Sequence, residues 1–241
     1  MALPAPRHGL ARALSKRGVC SRTQAAEWIR AGRVSVDGRV VRDPEFPTIA
    51  GKHSIAVDGR DLDAAPERHY VMLNKPRGLV TTARDEQGRD TVYRCFDGAG
   101  LPWIAPVGRL DKASEGLLLF SNDPAWSAHI ADPAAGPDKT YHVQVDRIPD
   151  AVVLATLRAG VVDAGEFLRA KSATLLRAGE RNAWLEIVLD AGRNRQIRRM
   201  LATQQIGVLR LIRVSIGALA LGELAKGAWR PLTRAEVAAL A

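Results

Sequence analysis

Apolar and polar positions in the first sixty residues follow two periods in turn. In "GLARALSKRG" Leu10, Ala13 and Leu14 fall on one face of a 3.6-residue helix, and Gly18 is placed to end it. Ser21 opens a second helix through "SRTQ", with Gln24 at the third position of a capping box; Trp28 and Ile29 make its buried side and Gly32 closes it. The period then falls to two. "RVSVDGRVV" alternates across Asp37-Gly38, a strong hairpin signal, and "SIAVDGRDL" repeats the device at Asp58-Gly59. The expected order is helix, helix, hairpin, strand. "DAAPERH", Asp63 to His69, is polar with a proline and reads as a linker between residues 1–62 and a larger unit, 70–241. There "YVMLNKPRGLVTT" predicts a buried strand broken by the Lys75-Pro76-Arg77-Gly78 turn, and "GLLLF" at 116–120 predicts another. "KTYHVQVD" alternates, and "WLEIVL" and "LRLIRVSIG" add two more strands. Helices are predicted at 124–131, 150–159 and 193–205, with a terminal one opened by the capping box Thr233 to Glu236. Strands and helices do not alternate regularly, which favours an α+β fold over a doubly wound sheet.

Composition narrows the function classes. A formal charge of +9 and a pI near 10.1 favour a polyanionic partner. Apolar runs such as "IGVLRLIRV", Ile206 to Val214, are short and interrupted by arginine, far from the roughly 20 apolar residues of a membrane span. "MALPAPRHGLARALSKRG" has no apolar signal core. A soluble cytoplasmic protein with no membrane partner is expected. Cys20 and Cys95 form no C-x-x-C pair, so neither a disulfide framework nor a zinc site is signalled.

The placement of charge changes the picture further. Eleven basic and five acidic side chains fall within residues 1–60, so six of the nine surplus positive charges occupy a quarter of the chain. Arg12, Lys16, Arg17, Arg22 and Arg30 lie on the two helices, opposed only by Glu27, and are expected to follow a phosphate backbone. A second cluster, "DAGRNRQIRRMLATQQ", carries Arg193, Arg195, Arg198 and Arg199, and Ala191 to Gly222 holds six arginines and no acid. On a helix Arg195 and Arg199 repel by a few tenths of a kcal/mol. The cluster therefore needs an anion: RNA phosphate, the carboxylate of Asp111, or both; Arg193, Arg195 and Arg199 are expected at RNA. Asp111 itself, in "PVGRLDKASEGLLLFSND", is a lone carboxylate just before an apolar run.

Two stretches resemble known families. "LSKRGVCSRTQAAEWIRAGRVSVDGRVV" is similar to the S4 RNA-binding domain over nearly the whole first unit, and "GRLDKASEGLLLFSND" resembles the catalytic-loop motif of pseudouridine synthases, in the branch that acts on ribosomal RNA and carries an N-terminal S4 domain. "LNKPRG", "KTYHVQV", "GRNRQIRRML", "LRLIRVSIG" and "LGELAKGAWRPLT" follow in that family's order, so the resemblance covers nearly the whole chain. It implies a small S4 domain followed by a larger catalytic domain with a mixed, mainly antiparallel sheet. It also implies isomerisation of uridine to pseudouridine in ribosomal RNA by a monomer. Such a reaction adds no atoms and moves no electrons out, so no cofactor, nucleotide or metal is expected.

By the same resemblance Asp111 acts as nucleophile or as the group that initiates glycosidic cleavage, and Arg198 is the cation that keeps it ionised. Tyr141 stacks on the flipped uracil, Leu211 packs against the base, and Arg109 enters the stack the uridine has left. Ser114 and Lys75 support the loop and strand. Pro124 and Arg195 depart from the commoner residues at their positions, and "NRQIRRM" with "RLIRV" looks more like the large-subunit branch. His129, Trp103, Trp126, Trp184 and Trp229 read as structural. A non-catalytic RNA-binding protein would not need Asp111, Tyr141 and Arg198 together, and a methyltransferase would need a glycine loop after its first strand that this sequence lacks.

Overall fold

The computed structural model describes residues 7–49, 52–62 and 67–241. The extreme N-terminus and residues 63–66 of the expected linker lie outside them. Two compact units form. One comprises residues up to Tyr70 with Ala99–Ala105 and Ser121–Pro124; the other comprises Val71–Gly98, Pro106–Phe120 and Ala125–Ala241. Ser121–Asp123 joins the first unit through hydrogen bonds: Arg68 and His69 donate to Asn122, Tyr70 donates to Asp123, and Ser121 donates to the His69 carbonyl.

In the first unit α1 (Leu10–Lys16) and α2 (Arg22–Arg30) bury Leu10, Leu14, Ala25 and Ile29 against Val34, Val36 and Ile55. The Ser21 hydroxyl accepts from Gln24 N at 3.0 Å, but the Gln24 amide turns to Glu27 instead of reaching back, so half of the capping box forms. Trp28 is not buried as expected. It stays half-exposed beneath the Arg33 guanidinium, 5.1 Å from its ring centroid, an arrangement that satisfies an amphipathic ring. Both Asp-Gly turns have positive φ at both residues, 50° and 78° at Asp37-Gly38 and 50° and 76° at Asp58-Gly59, the geometry a two-residue hairpin requires. The resulting four-stranded sheet runs Arg39–Val40, Val34–Val36, Ile55–Val57, Arg60–Asp61.

The second unit is built, among the described residues, on a nine-stranded sheet. Its main path runs Ser172–Ala178, Ala183–Leu189, Lys139–Val145, Val208–Ile216, Glu115–Ser121, Tyr70–Lys75, Trp229–Pro231. Val208–Ile216 pairs parallel to Glu115–Ser121 and antiparallel to Lys139–Val145, so the sheet is mixed and mainly antiparallel. Glu115–Ser121, at the centre, is buried along its whole length, whereas Lys139–Val145 alternates and buries Lys139, Tyr141, Val143 and Val145 on one face. Helices α3 (Pro124–Ala131), α4 (Ala151–Ala159), α5 (Gln196–Thr203) and α6 (Arg234–Ala239) fall where periodicity put them, α6 with both capping-box bonds. α5 begins three residues later than expected, because Arg195 adopts a left-handed conformation (φ 48°, ψ 30°) and stands outside the helix as its cap. Among the described residues no helix is long and apolar enough to cross a membrane.

Candidate active site

The loop that carries Asp111 is fixed through its backbone. Lys75, at the end of its strand, is fully buried, and its ammonium donates to the carbonyls of Pro76, Asp111 and Ser114 at 3.1, 3.2 and 2.9 Å. Burial draws its pKa down from 10.5 to about 8, with the Asp111 charge pulling the other way. The Thr81 hydroxyl donates to Leu110 O at 2.7 Å and accepts from Leu110 N, while Gly78 N donates to Lys112 O at 2.7 Å. These successive supports hold the Asp111 main chain on the sheet end and leave its carboxylate to face a cavity.

That cavity has a volume of about 300 Å³, the small end of the range for ligand sites. Its lining includes Asp111, Arg109, Tyr141 and Leu211 together with the turn from Arg193 to Arg198. Tyr141 is buried and pairs across the sheet with Arg213; Leu211, two residues before Arg213, shares its face. A second cavity, about 390 Å³, shares Arg109, Leu110, Asp111 and Asn194 with the first. Among the described residues no three His, Cys, Asp or Glu side chains converge to hold a metal ion.

The arginines divide their work differently from the sequence expectation. Arg195, not Arg198, brings a guanidinium nearest to the carboxylate, with Nη1 3.6 Å from Asp111 Oδ2. Arg198 spends its fork on main chain, donating to Val208 O at 3.4 Å and Ala113 O at 3.3 Å, and its buried Nε has no partner among the described residues. Its pKa is lowered by burial and by Arg195, and raised by the charge of Asp111, so it still acts on that carboxylate through space. Arg193, Arg195 and Arg199 were expected at RNA; the guanidinium groups of Arg193 and Arg199 are bound within the protein. Arg199 reaches Asp163 and Glu166 at 2.5 and 2.6 Å, and Arg193 reaches Glu166 at 2.5 Å. The anion that the cluster needs therefore comes from the hairpin Val161–Asp163 and Glu166–Leu168, which α5 holds in place.

Of the remaining cations, Arg109 is exposed at the mouth of both cavities. In the first unit Arg12 and Arg30 are exposed, and Arg22 meets Glu45 at 3.3 Å in an exposed pair of the kind worth about 0–1 kcal/mol, weak enough for a phosphate to displace. Lys16 contacts His8 at 3.0 Å, and Arg17, half-buried, donates to Leu62 O at 3.3 Å.

A single carboxylate lining this cavity accords with the comparisons to known proteins. Residues 69–203 match the model of the RNA pseudouridylate synthase family, and residues 9–47 match that of the S4 domain. The chain belongs to the RNA pseudouridylate synthase family. The enzyme is 34% identical to an uncharacterized RNA pseudouridine synthase of Rickettsia prowazekii, over 93% of this chain and 94% of that protein. It is 35% identical to the ribosomal large subunit pseudouridine synthase B of Bacillus subtilis, over 95% of this chain and 93% of that one. A crystal structure of a pseudouridylate synthase superposes with a TM-score of 0.68 at 31% identity, covering 97% of this chain and all of that one. The enzyme is thus an RNA isomerase preceded by an S4 domain.

Sequence reasoning missed four contributors: Thr81, Arg213, Lys139 and the Asp163–Glu166 hairpin. Arg213 and Lys139 were within reach, since each lies two residues from a singled-out position on an alternating strand and so shares its face. Thr81 carries no sequence signal, because its role depends on where Leu110 arrives.

Proposed function

We propose that the enzyme converts a uridine of ribosomal RNA to pseudouridine, that its RNA belongs to the large subunit, and that it works as a monomer in the cytoplasm. The uridine turns out of its helix into the cavity beside Asp111, at a cost of a few kcal/mol that insertion of Arg109 into the vacated stack offsets. Tyr141 stacks on the uracil and Leu211 packs its edge. Asp111, with the Arg195 guanidinium 3.6 Å away, starts cleavage of the bond from N1 to the ribose. The uracil turns and rejoins the ribose through C5. Arg12, Lys16, Arg17, Arg22 and Arg30 on the S4 domain contact phosphates and set affinity rather than chemistry.

The observation that carries this reading is Asp111, whose carbonyl is held by Lys75, whose preceding residue Leu110 is held by Thr81, and which lines a cavity together with Tyr141 and Leu211. The large-subunit preference rests on the name of the Bacillus subtilis relative and on the "NRQIRRM" and "RLIRV" stretches. Mapping pseudouridines in ribosomal RNA from cells with and without the gene tests both. A large-subunit site that disappears with the gene is expected; loss confined to small-subunit or transfer RNA would overturn the substrate assignment.

A further inference from the structure

Two buried cations line the uridine cavity without a carboxylate in direct contact among the described residues, although Asp138 and Asp132 act on Lys139 through space. Arg213 is 5% exposed and Lys139 8% exposed, and both line the cavity. Arg213 donates through Nε to Leu117 O at 2.7 Å, but its buried Nη2 has no partner among the described residues. Neither cation meets a carboxylate at ion-pairing distance among those residues: Asp138, next to Lys139, is taken by Lys171 at 2.7 Å. A buried charge left unpaired is costly, and a buried N–H without an acceptor adds about 1–3 kcal/mol. Such a group in a native structure calls for a reason, and a catalytic or binding role is one of those that recur.

The surroundings say which kind of ligand. Leu189, Ile197, Leu211 and Ile216 line the same cavity and suit the flat apolar body of a base. Tyr141 and Arg213 are direct cross-strand partners, so a ring packed on Tyr141 presents its edge to the guanidinium. Phosphates have exposed cations elsewhere, such as Arg109 at the mouth.

We propose that Arg213 and Lys139 donate hydrogen bonds to the carbonyl oxygens of the flipped uracil and stabilise the uracil anion while it is detached from the ribose. This rests on the reading that the cavity receives the target uridine. When the bond from N1 to C1′ breaks, its electron pair stays on the uracil and the charge spreads over N1, O2 and O4. The ring turns, the bond from C5 to C1′ forms, the C5 proton leaves, and N1 takes up a proton, so the product is neutral and isomeric with the substrate. The charge is largest between the two bonding steps, and donors already in place, out of water, act most strongly there. The same donors oppose cytosine, whose 4-amino group would face them as a second donor.

The test compares Arg213→Met, Arg213→Lys and Lys139→Met with wild type in single turnover at saturating enzyme, on a ribosomal RNA fragment carrying the mapped uridine. Each variant is run with uridine and with 5-fluorouridine at the target, because fluorine makes the uracil a better leaving group and lessens the need for outside stabilisation. Loss of the N-glycoside is followed by nuclease digestion and chromatographic separation of the released nucleosides, since uridine and pseudouridine have equal mass. With uridine each methionine variant is expected to lose about 10²–10³-fold in rate, as for removal of one preorganised donor, and at least about tenfold less with 5-fluorouridine. Arg213→Lys keeps most of the rate. Arg213→Met and Lys139→Met lie on different strands, so misfolding of one, seen as a collapsed melting temperature, leaves the other to decide. An equal loss on both substrates, or a loss confined to RNA affinity as for a phosphate contact, overturns the inference while the synthase reading stands. Absence of product from wild type on every fragment removes that reading, and the inference with it.

Discussion

Lys75→Met removes the ammonium beneath the Asp111 loop while keeping its apolar stem, and the pH dependence of stability should report the change. The ammonium is fully buried, and its pKa falls from 10.5 to about 8, chiefly by desolvation. Below pH 8 both folded and unfolded chains hold the proton, and the folded state bears the full penalty of burying it. Between 8 and 10.5 only the unfolded chain still holds it, so unfolding takes up a proton and stability rises with pH. At about 1.36 kcal/mol per pH unit, the gain from this one group between pH 7 and pH 10 is about 2.5 kcal/mol. Methionine has no proton to lose. Urea unfolding of both proteins at pH 7, 8, 9 and 10, with the slope m checked for constancy, should show wild type gaining that amount relative to Lys75→Met. The variant should also lose about 10²-fold in single-turnover rate with RNA affinity little changed, since the carbonyls of Asp111 and Ser114 lose their tether and small misplacements of a reacting group are expensive. A stability difference that stays flat across pH would refute the argument that a charged lysine is buried there.

Arg198→Lys should cost turnover heavily, because lysine lacks the fork that spans Val208 O and Ala113 O, whereas Arg199→Lys should mainly lower thermal stability, by about 1 kcal/mol, as the grip on Asp163 and Glu166 loosens. Single-turnover rates and melting curves separate the two; an equal or larger rate loss at Arg199 contradicts the assignment. Replacing exposed Arg12 and Arg30 together with alanine should weaken RNA binding and lower the log–log salt slope by about 0.7–0.9 for each phosphate that is no longer neutralised. An unchanged slope in a filter-binding salt series would remove these residues from the RNA interface.

What was legible in the sequence was local. The Asp-Gly hairpins, the α6 capping box and the alternation of Lys139–Val145 depend on residues a few positions apart, and all three formed. Asp111, Tyr141 and Leu211, singled out through the family resemblance, come from distant parts of the chain and line one cavity. The arginine cluster was harder. Its balancing acids, Asp163 and Glu166, sit about thirty residues upstream in a hairpin whose Ala164-Gly165 turn carries little sequence signal. Ser172–Ala178 was missed because five of its seven residues are exposed at the sheet edge, which erases the alternation that marks a strand. Arg198 was placed beside the carboxylate by the family resemblance; that Arg195 comes nearer was hidden because the helix was expected to begin at residue 193. Arg195 lies outside α5 in a left-handed conformation, so helical spacing says nothing about where it points.

Asp111→Asn bears most directly on the proposed chemistry, since the amide keeps the size of the carboxylate and loses only its charge and nucleophilicity. The measurement is pseudouridine formation in large-subunit ribosomal RNA, in single turnover with purified wild-type and variant enzyme, alongside the RNA dissociation constant of each. Wild type should form one pseudouridine per target RNA, and Asp111→Asn none, with affinity within a few-fold. Pseudouridine formation by Asp111→Asn at a rate near wild type would show that this carboxylate does not start the reaction.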